Sequence, residues 1–289
     1  MSIKFKVIGY ALTLVVIVSC NFKTGDSEII FDDKVDRENA LWDYEGDTLA
    51  QEEEVLVLSE ESTPSIDGVF NDFLFAYLHS PKLRQERTAN PLRLEHNESP
   101  AEMLEEFDPE FEFSFLSGEY FTTLYGNTSQ MRAEDEEELE EDSIVSLQRI
   151  NLNDGTIRNF QFIREEGRWR LEAIREATFD DDELNDFLSF YARFCADSTF
   201  QNHSIANPLH IVLQDPDNEE ESIDGIIDAD QWQTFCPEVP SGIISNIRKG
   251  QHYGGQRIVL RKSGLSNGLQ EVFTFIKERG NWRLSRYEN

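Results

Sequence analysis

Cysteine and positive charge are what this chain lacks most. Three cysteines in 289 residues exclude a disulfide-stapled scaffold and the cysteine-rich zinc modules, which need closely spaced sets. Only 26 lysines and arginines face 57 aspartates and glutamates, for a formal charge of −31. Nucleic-acid binding rests on cationic contacts to phosphate, so this balance excludes it. It equally opposes electrostatic docking on anionic lipid. The histidines, His79, His96, His203, His210 and His252, never stand in H-x-x-x-H or H-E-x-x-H spacing, so no metal or cofactor motif is present. "HYGGQR", His252 to Arg257, has paired glycines without the frame of a phosphate loop, and reads as a loop or hairpin. "DPDNEEESIDG", from Asp215, begins like a calcium loop. It then puts Glu220 where glycine is required and Ile226 where a bidentate glutamate belongs, and reads as an acidic loop.

Long apolar runs are also missing, except for one at the start. Lys4 and Lys6 precede an apolar run from Val7 to Val18. A membrane-spanning helix needs about 20 apolar residues, so the run fits a secretory signal peptide better than a span. It ends in "IVSC", Ile17 to Cys20, which resembles a bacterial lipobox. That resemblance implies a signal peptide with lipobox over 1–20 that is cleaved just before Cys20, lipidation of Cys20 with palmitate-type chains as the first mature residue, and attachment to the membrane through this lipid. Each buried CH2 of such a chain contributes about 0.8 kcal/mol. Asn21 stands where an aspartate is associated with inner-membrane retention, so the expected location is the cell envelope at the outer membrane. Residues 21–65 hold fourteen acids and three bases. The stretch 21–62 therefore reads as an acidic, disordered tether that includes Trp42. "EDEEELEED", Glu134 to Asp142, holds eight acids in nine residues and reads as a second solvated block. Cys195 and Cys236 remain, and an exported compartment would permit their single possible bridge. Two buried thiols are the alternative.

The chain repeats itself. "NDFL" occurs at 71–74 and 185–188, "ANPL" at 89–92 and 206–209, and "REEGRWRL" at 164–171 is echoed by "KERGNWRL" at 277–284. The shifts are 114, 117 and 113 residues, in the same order. Diverged copies of one unit give that pattern, with small loop insertions. The expected domains are 63–176 and 177–289. Each opens on an amphipathic helix. Ile66, Val69, Phe70, Phe73, Leu74, Tyr77 and Leu78 form a stripe of about 3.6-residue period behind a Thr63–Pro64 start. Leu184, Phe187, Leu188, Tyr191, Phe194 and Cys195 repeat it, with Asp180 to Glu183 at the positive helix end. Asn71–Asp72 and Asn185–Asp186 lie off the stripe and read as solvated or structurally hydrogen-bonded polar residues.

Each unit closes on strands. "SIVSLQRINL" meets Asn153–Asp154–Gly155, a hairpin signal, and "RNFQF" and "RWRLEAI" alternate with period two. "RIVLRK", Asn267–Gly268, "EVFTF" and "NWRLSRY" repeat the plan. Trp169 with Leu171, and Trp282 with Leu284, therefore face the core, while Arg170 and Arg283 point away. "FEFSF", Phe111 to Phe115, alternates like a strand. "GEYFTTLY" and "ADQWQTFC" read as corresponding short helices, with Trp232 in the core. "KLRQER", Lys82 to Arg87, is a basic island that reads as a surface charge cluster or an anion site.

One helix followed by a meander whose last hairpin carries Trp-x-Leu resembles the nuclear transport factor 2-like, cystatin-like fold. With "IVSC", "NDFL" and "ANPL", the chain also resembles a family of Bacteroidetes lipoproteins built as tandem domains of that kind. The resemblance implies an α+β fold of two tandem duplicated domains. Each would pack its N-terminal helix on a curved antiparallel sheet that ends in a β-meander. Such a fold hosts both enzymes and non-catalytic modules. The reading adopted is a non-catalytic module that binds an envelope protein or small ligand in one or both sheet concavities. The alternative is an enzyme of the isomerase or hydrolase type with pocket carboxylates and tyrosines. No motif selects catalytic residues, and Tyr77 and Tyr191 sit on apolar stripes as core residues do.

Overall fold

The computed structural model describes residues 66–97, 99–135, 143–215, 218–235, 237–264 and 268–289, with the side chains of Asp135, Glu219 and Glu220 left out. All of them fall in one unit, Glu60–Asn289. Cys20, Trp42, the Thr63–Pro64 start, Cys236 and Asn267 lie outside the described residues.

Helix α1 (Phe70–His79) buries Phe70, Phe73, Leu74 and Tyr77, the predicted stripe. It begins at Phe70, so Ile66 and Val69 precede it. Helix α2 (Pro81–Arg87) follows, opened by Pro81 and by Ser80, whose hydroxyl accepts from Leu83 N–H. Strands β1 (Thr88–His96) and β2 (Ser99–Leu104) come next. "FEFSF" is not a strand. Asp108 caps two backbone N–H groups and Pro109 takes the first helical position, so the chain turns into helix α3 (Pro109–Glu112) and a 3-10 turn, Ser114–Leu116. "GEYFTTLY" is not a helix either. It forms strand β3 (Tyr120–Tyr125), rich in β-branched and aromatic residues. Helix α4 (Thr128–Asp135) leads to β4 (Ile144–Asn151), β5 (Thr156–Glu165) and β6 (Arg168–Thr178), the predicted meander.

The second half has the same general course. Helices α5 (Asn185–Ala196) and α6 (Ser198–His203) precede β7 (Ile205–Asp215) and β8 (Asn218–Ile227). Within the acidic stretch from Asp215, Asn218 onward is thus an edge strand. Helix α7 (Trp232–Phe235) buries Trp232. Strands β9 (Ile243–Arg248), β10 (Arg257–Gly264), β11 (Gln270–Glu278) and β12 (Asn281–Glu288) complete the chain.

Among the described residues twelve strands form two six-stranded sheets, in the orders β2-β1-β6-β5-β4-β9 and β3-β10-β11-β12-β7-β8. Two corrections follow. The sheets are mixed: β1 runs parallel to β6, and β7 parallel to β12. A parallel pair needs a long crossover, and the whole stretch between those strands supplies it. Nor does each half complete its own sheet. β3, from the first half, covers the edge of β10, and β9, from the second, covers the edge of β4. The two exchanged strands meet in a buried polar seam. Thr122 N–H donates to Ser245 Oγ at 2.8 Å, and Ser245 N–H donates to Thr122 Oγ1 at 3.0 Å. Each hydroxyl then donates to the other residue's carbonyl, at 2.6 and 2.9 Å. Asn246 accepts from Leu124 N–H at 2.8 Å and donates to Gln148 Oε1 at 2.8 Å, and Gln148 donates to Asn159 at 2.7 Å. Buried polar atoms that are all paired hold one geometry, because any slip leaves several of them unpaired.

Trp169, Leu171 and Leu284 are fully buried and Trp282 nearly so. Asp67 ties the entry of α1 to β6. Its carboxylate takes both terminal nitrogens of Arg87 at 2.9 Å and the Trp169 N–H at 2.9 Å. Burial opposes its ionisation, but these hydrogen bonds and the charges of Arg87 and Arg168 outweigh burial and hold its pKa below the usual value. The predicted basic island is therefore divided. Arg87 is a buried structural cation, Arg84 donates to Leu78 O beside Glu110, and Lys82 faces Glu86. Asp186 takes the structurally hydrogen-bonded form of its expected role, accepting from Trp282 Nε1 and Lys277 Nζ at 2.6 Å each.

Residues 63–176 expressed alone would lack the strand covering β4 and leave β3 without a sheet. The expected result is an aggregating or unfolded chain by circular dichroism and size-exclusion chromatography. Co-expression with 177–289 is expected to restore a one-to-one complex. A half that unfolds cooperatively as a monomer would show that the seam is dispensable.

Candidate functional site

The inner face of the first sheet can be read row by row across the strands. Val145, Phe162 and Leu171 make one row, and Leu147, Phe160, Ile174 and Leu94 the next. Both rows are buried under α1 and Phe113. The bulge between Gln161 and Phe162 bends the β5-β6 pair here. Two residues further on, the same face turns polar. Arg149, Arg158, Glu176 and His96 stand side by side on β4, β5, β6 and β1. Beyond them come Asn151, Thr156 and Thr178, then Asp154 of the hairpin and Asp180 and Asp181 of the 3-10 turn Phe179–Asp181. Together these residues line an open cleft of about 770 Å3.

Most of its charges are paired internally. Arg158 donates to Glu176 and, at 2.8 Å, to Glu112 of α3. His96 Nδ1 lies 3.1 Å from Glu176. Asp181 accepts from the N–H and hydroxyl of Thr178, at 3.0 and 2.8 Å, and these bonds hold its pKa down. Asp154 accepts from Asn151 at 2.7 Å. Burial raises the Glu112 pKa, against the charges of Arg158 and Arg149. Arg149 itself makes no hydrogen bond or ion pair among the described residues and acts on Glu112 only at longer range. It faces Arg158 directly across the strands, and like charges in that position repel.

The matching row of the second sheet is closed. Leu260, Phe273, Tyr287 and Ile211 form its apolar row. The next pair on that face is Lys262 and Glu271, opposite charges where the first sheet has two arginines. Lys262 is 4 % exposed and Glu271 7 %, and their atoms are 2.7 Å apart. Tyr287 donates to Glu271 at 2.5 Å, and burial followed by this carboxylate raises the phenol's pKa. Lys262 also reaches Glu238 O at 3.3 Å and lies over the Tyr120 ring. Trp232 and Phe235 pack on Tyr287 and fill the remaining space.

The tyrosines considered as pocket donors are committed elsewhere. Tyr77 lies 2.5 Å from Thr88 Oγ1, with burial pushing its pKa up to about 12. Tyr191 is fully buried, donates to Pro240 O at 2.7 Å, and has a raised pKa for the same reason. Cys195 Sγ approaches the same carbonyl at 3.4 Å, and burial pushes its thiol up to about 12. The expected pairing with Cys236 falls outside the described residues, as does the lipidation site Cys20. Trp169, Leu171, Trp282 and Leu284 line the two cores and not the cleft. Among the described residues no group of three or more His, Cys, Asp or Glu is placed to hold a metal, and no helix is long and apolar enough to cross a membrane. Sequence reasoning missed Arg149, Arg158 and Glu176. A signal was there: "Val-x-Leu-x-Arg" before the Asn153–Gly155 turn and "Arg-x-Phe-x-Phe" after it switch from apolar to charged on matching rungs.

Residues 50–289 match the family model described as Domain of unknown function (DUF4348), and the chain belongs to that family. No match to a curated protein was found. Among solved structures, the crystal structure of a nuclear transport factor 2-like protein from Bacteroides fragilis is 27 % identical, with a TM-score of 0.68 over 78 % of this chain and 96 % of that one. The fold is nuclear transport factor 2-like, mixed α+β with two six-stranded sheets.

The two rows separate structure from site. Lys262→Met would strand the buried Glu271 and is expected to cost about 3–5 kcal/mol. Arg149→Gln removes a like-charge contact together with a longer-range attraction to Glu112, and is expected to change stability by no more than about 1 kcal/mol. Urea denaturation of both variants measures the contrast.

Proposed function

We propose that this member of the family is a lipid-anchored, non-catalytic binding module of the bacterial envelope. In this reading the open end of the first sheet holds a small polar ligand. The second half serves as its closed structural partner. The observation that carries the reading is the contrast between equivalent rows: Arg149 opposite Arg158 at an open cleft, Lys262 opposite Glu271 in a sealed core. A charge row kept for stability is neutralised internally, as the second one is. A guanidinium that makes no hydrogen bond or ion pair of its own, set beside another cation, is better explained by an anionic group that arrives from outside. The two halves are read as tandem duplicated domains, 63–176 and 177–289. Support comes from the recurring phrases, the matching strand orders and the reciprocal Thr122–Ser245 bonds. The anchor is read from the lipobox-like Cys20, with residues 21–62 as tether and the outer membrane as location.

The second reading, an enzyme, has one observation in its favour. Glu112 is held above the usual carboxylate range by burial at the back of this row. It is nonetheless bound to Arg158, which suits a structural ion pair better than a free acid–base group.

Two measurements test the proposal. Metabolic labelling with an alkyne fatty acid is expected to tag the wild type and not Cys20→Ala; an untagged wild type removes the anchor. Native mass spectrometry of chain purified from its own cells is expected to find a bound small molecule that Arg149→Gln loses. A ligand retained equally by the variant places the site elsewhere.

A further inference from the structure

The proposed cleft also carries information on the class of its ligand, and the inference below rests on that reading. The cleft contains four carboxylates, Asp154, Glu176, Asp180 and Asp181, against two guanidiniums, Arg149 and Arg158, and one imidazole. Glu176 is taken by Arg158 and His96, Asp181 by Thr178, and Asp154 by Asn151. Neutral donors do not cancel charge, so Asp154, Asp180 and Asp181 all remain anionic; among the described residues the exposed Asp180 makes no hydrogen bond or ion pair, and Arg149 makes none either, feeling Glu112 only at longer range. Arg149 and Asp180 stand on different elements. Arg149 is on β4, one row inside the opening, and Asp180 is in the turn that follows β6, past the next row of Asn151, Thr156 and Thr178. One row step is about 7 Å along a strand.

We infer that the first-half cleft takes a small zwitterion, and specifically a short peptide with free ends. Its carboxylate would pair with Arg149, and its ammonium with Asp180. A guanidinium offers two parallel N–H groups that match a carboxylate. The carboxylate also relieves the repulsion between Arg149 and Arg158. Polyanions such as phosphate esters are disfavoured, because four carboxylates surround the two arginines and the whole chain is strongly acidic. Purely cationic ligands would leave Arg149 unpaired. A cleft of about 770 Å3 exceeds what a single amino acid fills, and the separation of one row or more between Arg149 and Asp180 suits the ends of a peptide.

The test is calorimetric titration of the full chain in detergent with alanyl-alanine, its N-acetyl derivative and its C-terminal amide. A panel of free amino acids and tripeptides is run beside them. Free-ended peptide is expected to bind, with each blocked form at least tenfold weaker. Arg149→Gln is expected to abolish the advantage over the amide alone, and Asp180→Asn the advantage over the acetyl form alone. Equal binding of free and blocked forms, or no binding across the panel, overturns the zwitterion inference. The proposed site is judged separately by the native mass spectrum. A sugar or simple carboxylate lost with Arg149→Gln would keep the site and remove the peptide. A ligand indifferent to Arg149 would remove both.

Discussion

The reciprocal bonding of Thr122 with Ser245 is the constraint on which the rest of this molecule depends. Backbone and hydroxyl of each residue serve backbone and hydroxyl of the other, across 123 positions of sequence. The four bonds lie where the two sheets have exchanged a strand. Each exchanged strand covers an edge that would otherwise present unpaired backbone groups. Asn246 and Gln148 extend the seam into the first sheet. The amides and hydroxyls there satisfy one another without recourse to solvent. Such a network is costly to open, since every broken bond leaves a buried donor or acceptor unpaired. The halves are thereby held as one body.

That fixed frame gives the inner face of each sheet its division of labour. Two rows of aliphatic and aromatic side chains fill the space under each N-terminal helix, and these rows hold the fold. The third row is where the halves part. In the second half Lys262 and Glu271 are buried, paired and sealed by Tyr287 and Trp232. In the first half the row stays open to the cleft, and its pairing leaves Arg149 over. The same scaffold position is thus a structural ion pair in one half and a charged wall in the other.

Much of the fold was legible in the sequence. Period-two alternation placed β5, β6, β11 and β12, and the 3.6-residue stripe placed α1 and α5, because those patterns follow from which side of an element is dry. Local capping decided two places where pattern alone misled. Asp108–Pro109 turned "FEFSF" into helix, and "YFTTLY" formed a strand because it had an edge to join. That edge belonged to the other half. Nothing within a hundred residues of Thr122 identifies its partner, so the exchange could not be read from local pattern. The candidate site was half legible: the switch from Phe160 to Arg158 and from Leu147 to Arg149 is written in the hairpin. Which arginine would be neutralised was not, since Glu112 arrives from a distant element.

The sequence by itself determined helices α1 and α5, the meanders and the core faces, including the burial of Trp169, Leu171, Trp282 and Leu284. These are consequences of short-range periodicity and of apolar area leaving water. Only the tertiary structure decided which strand closes which sheet and which charge row is sealed. Hydrogen bonds and ion pairs act between atoms a few ångströms apart, and which atoms those are is set by the packed chain.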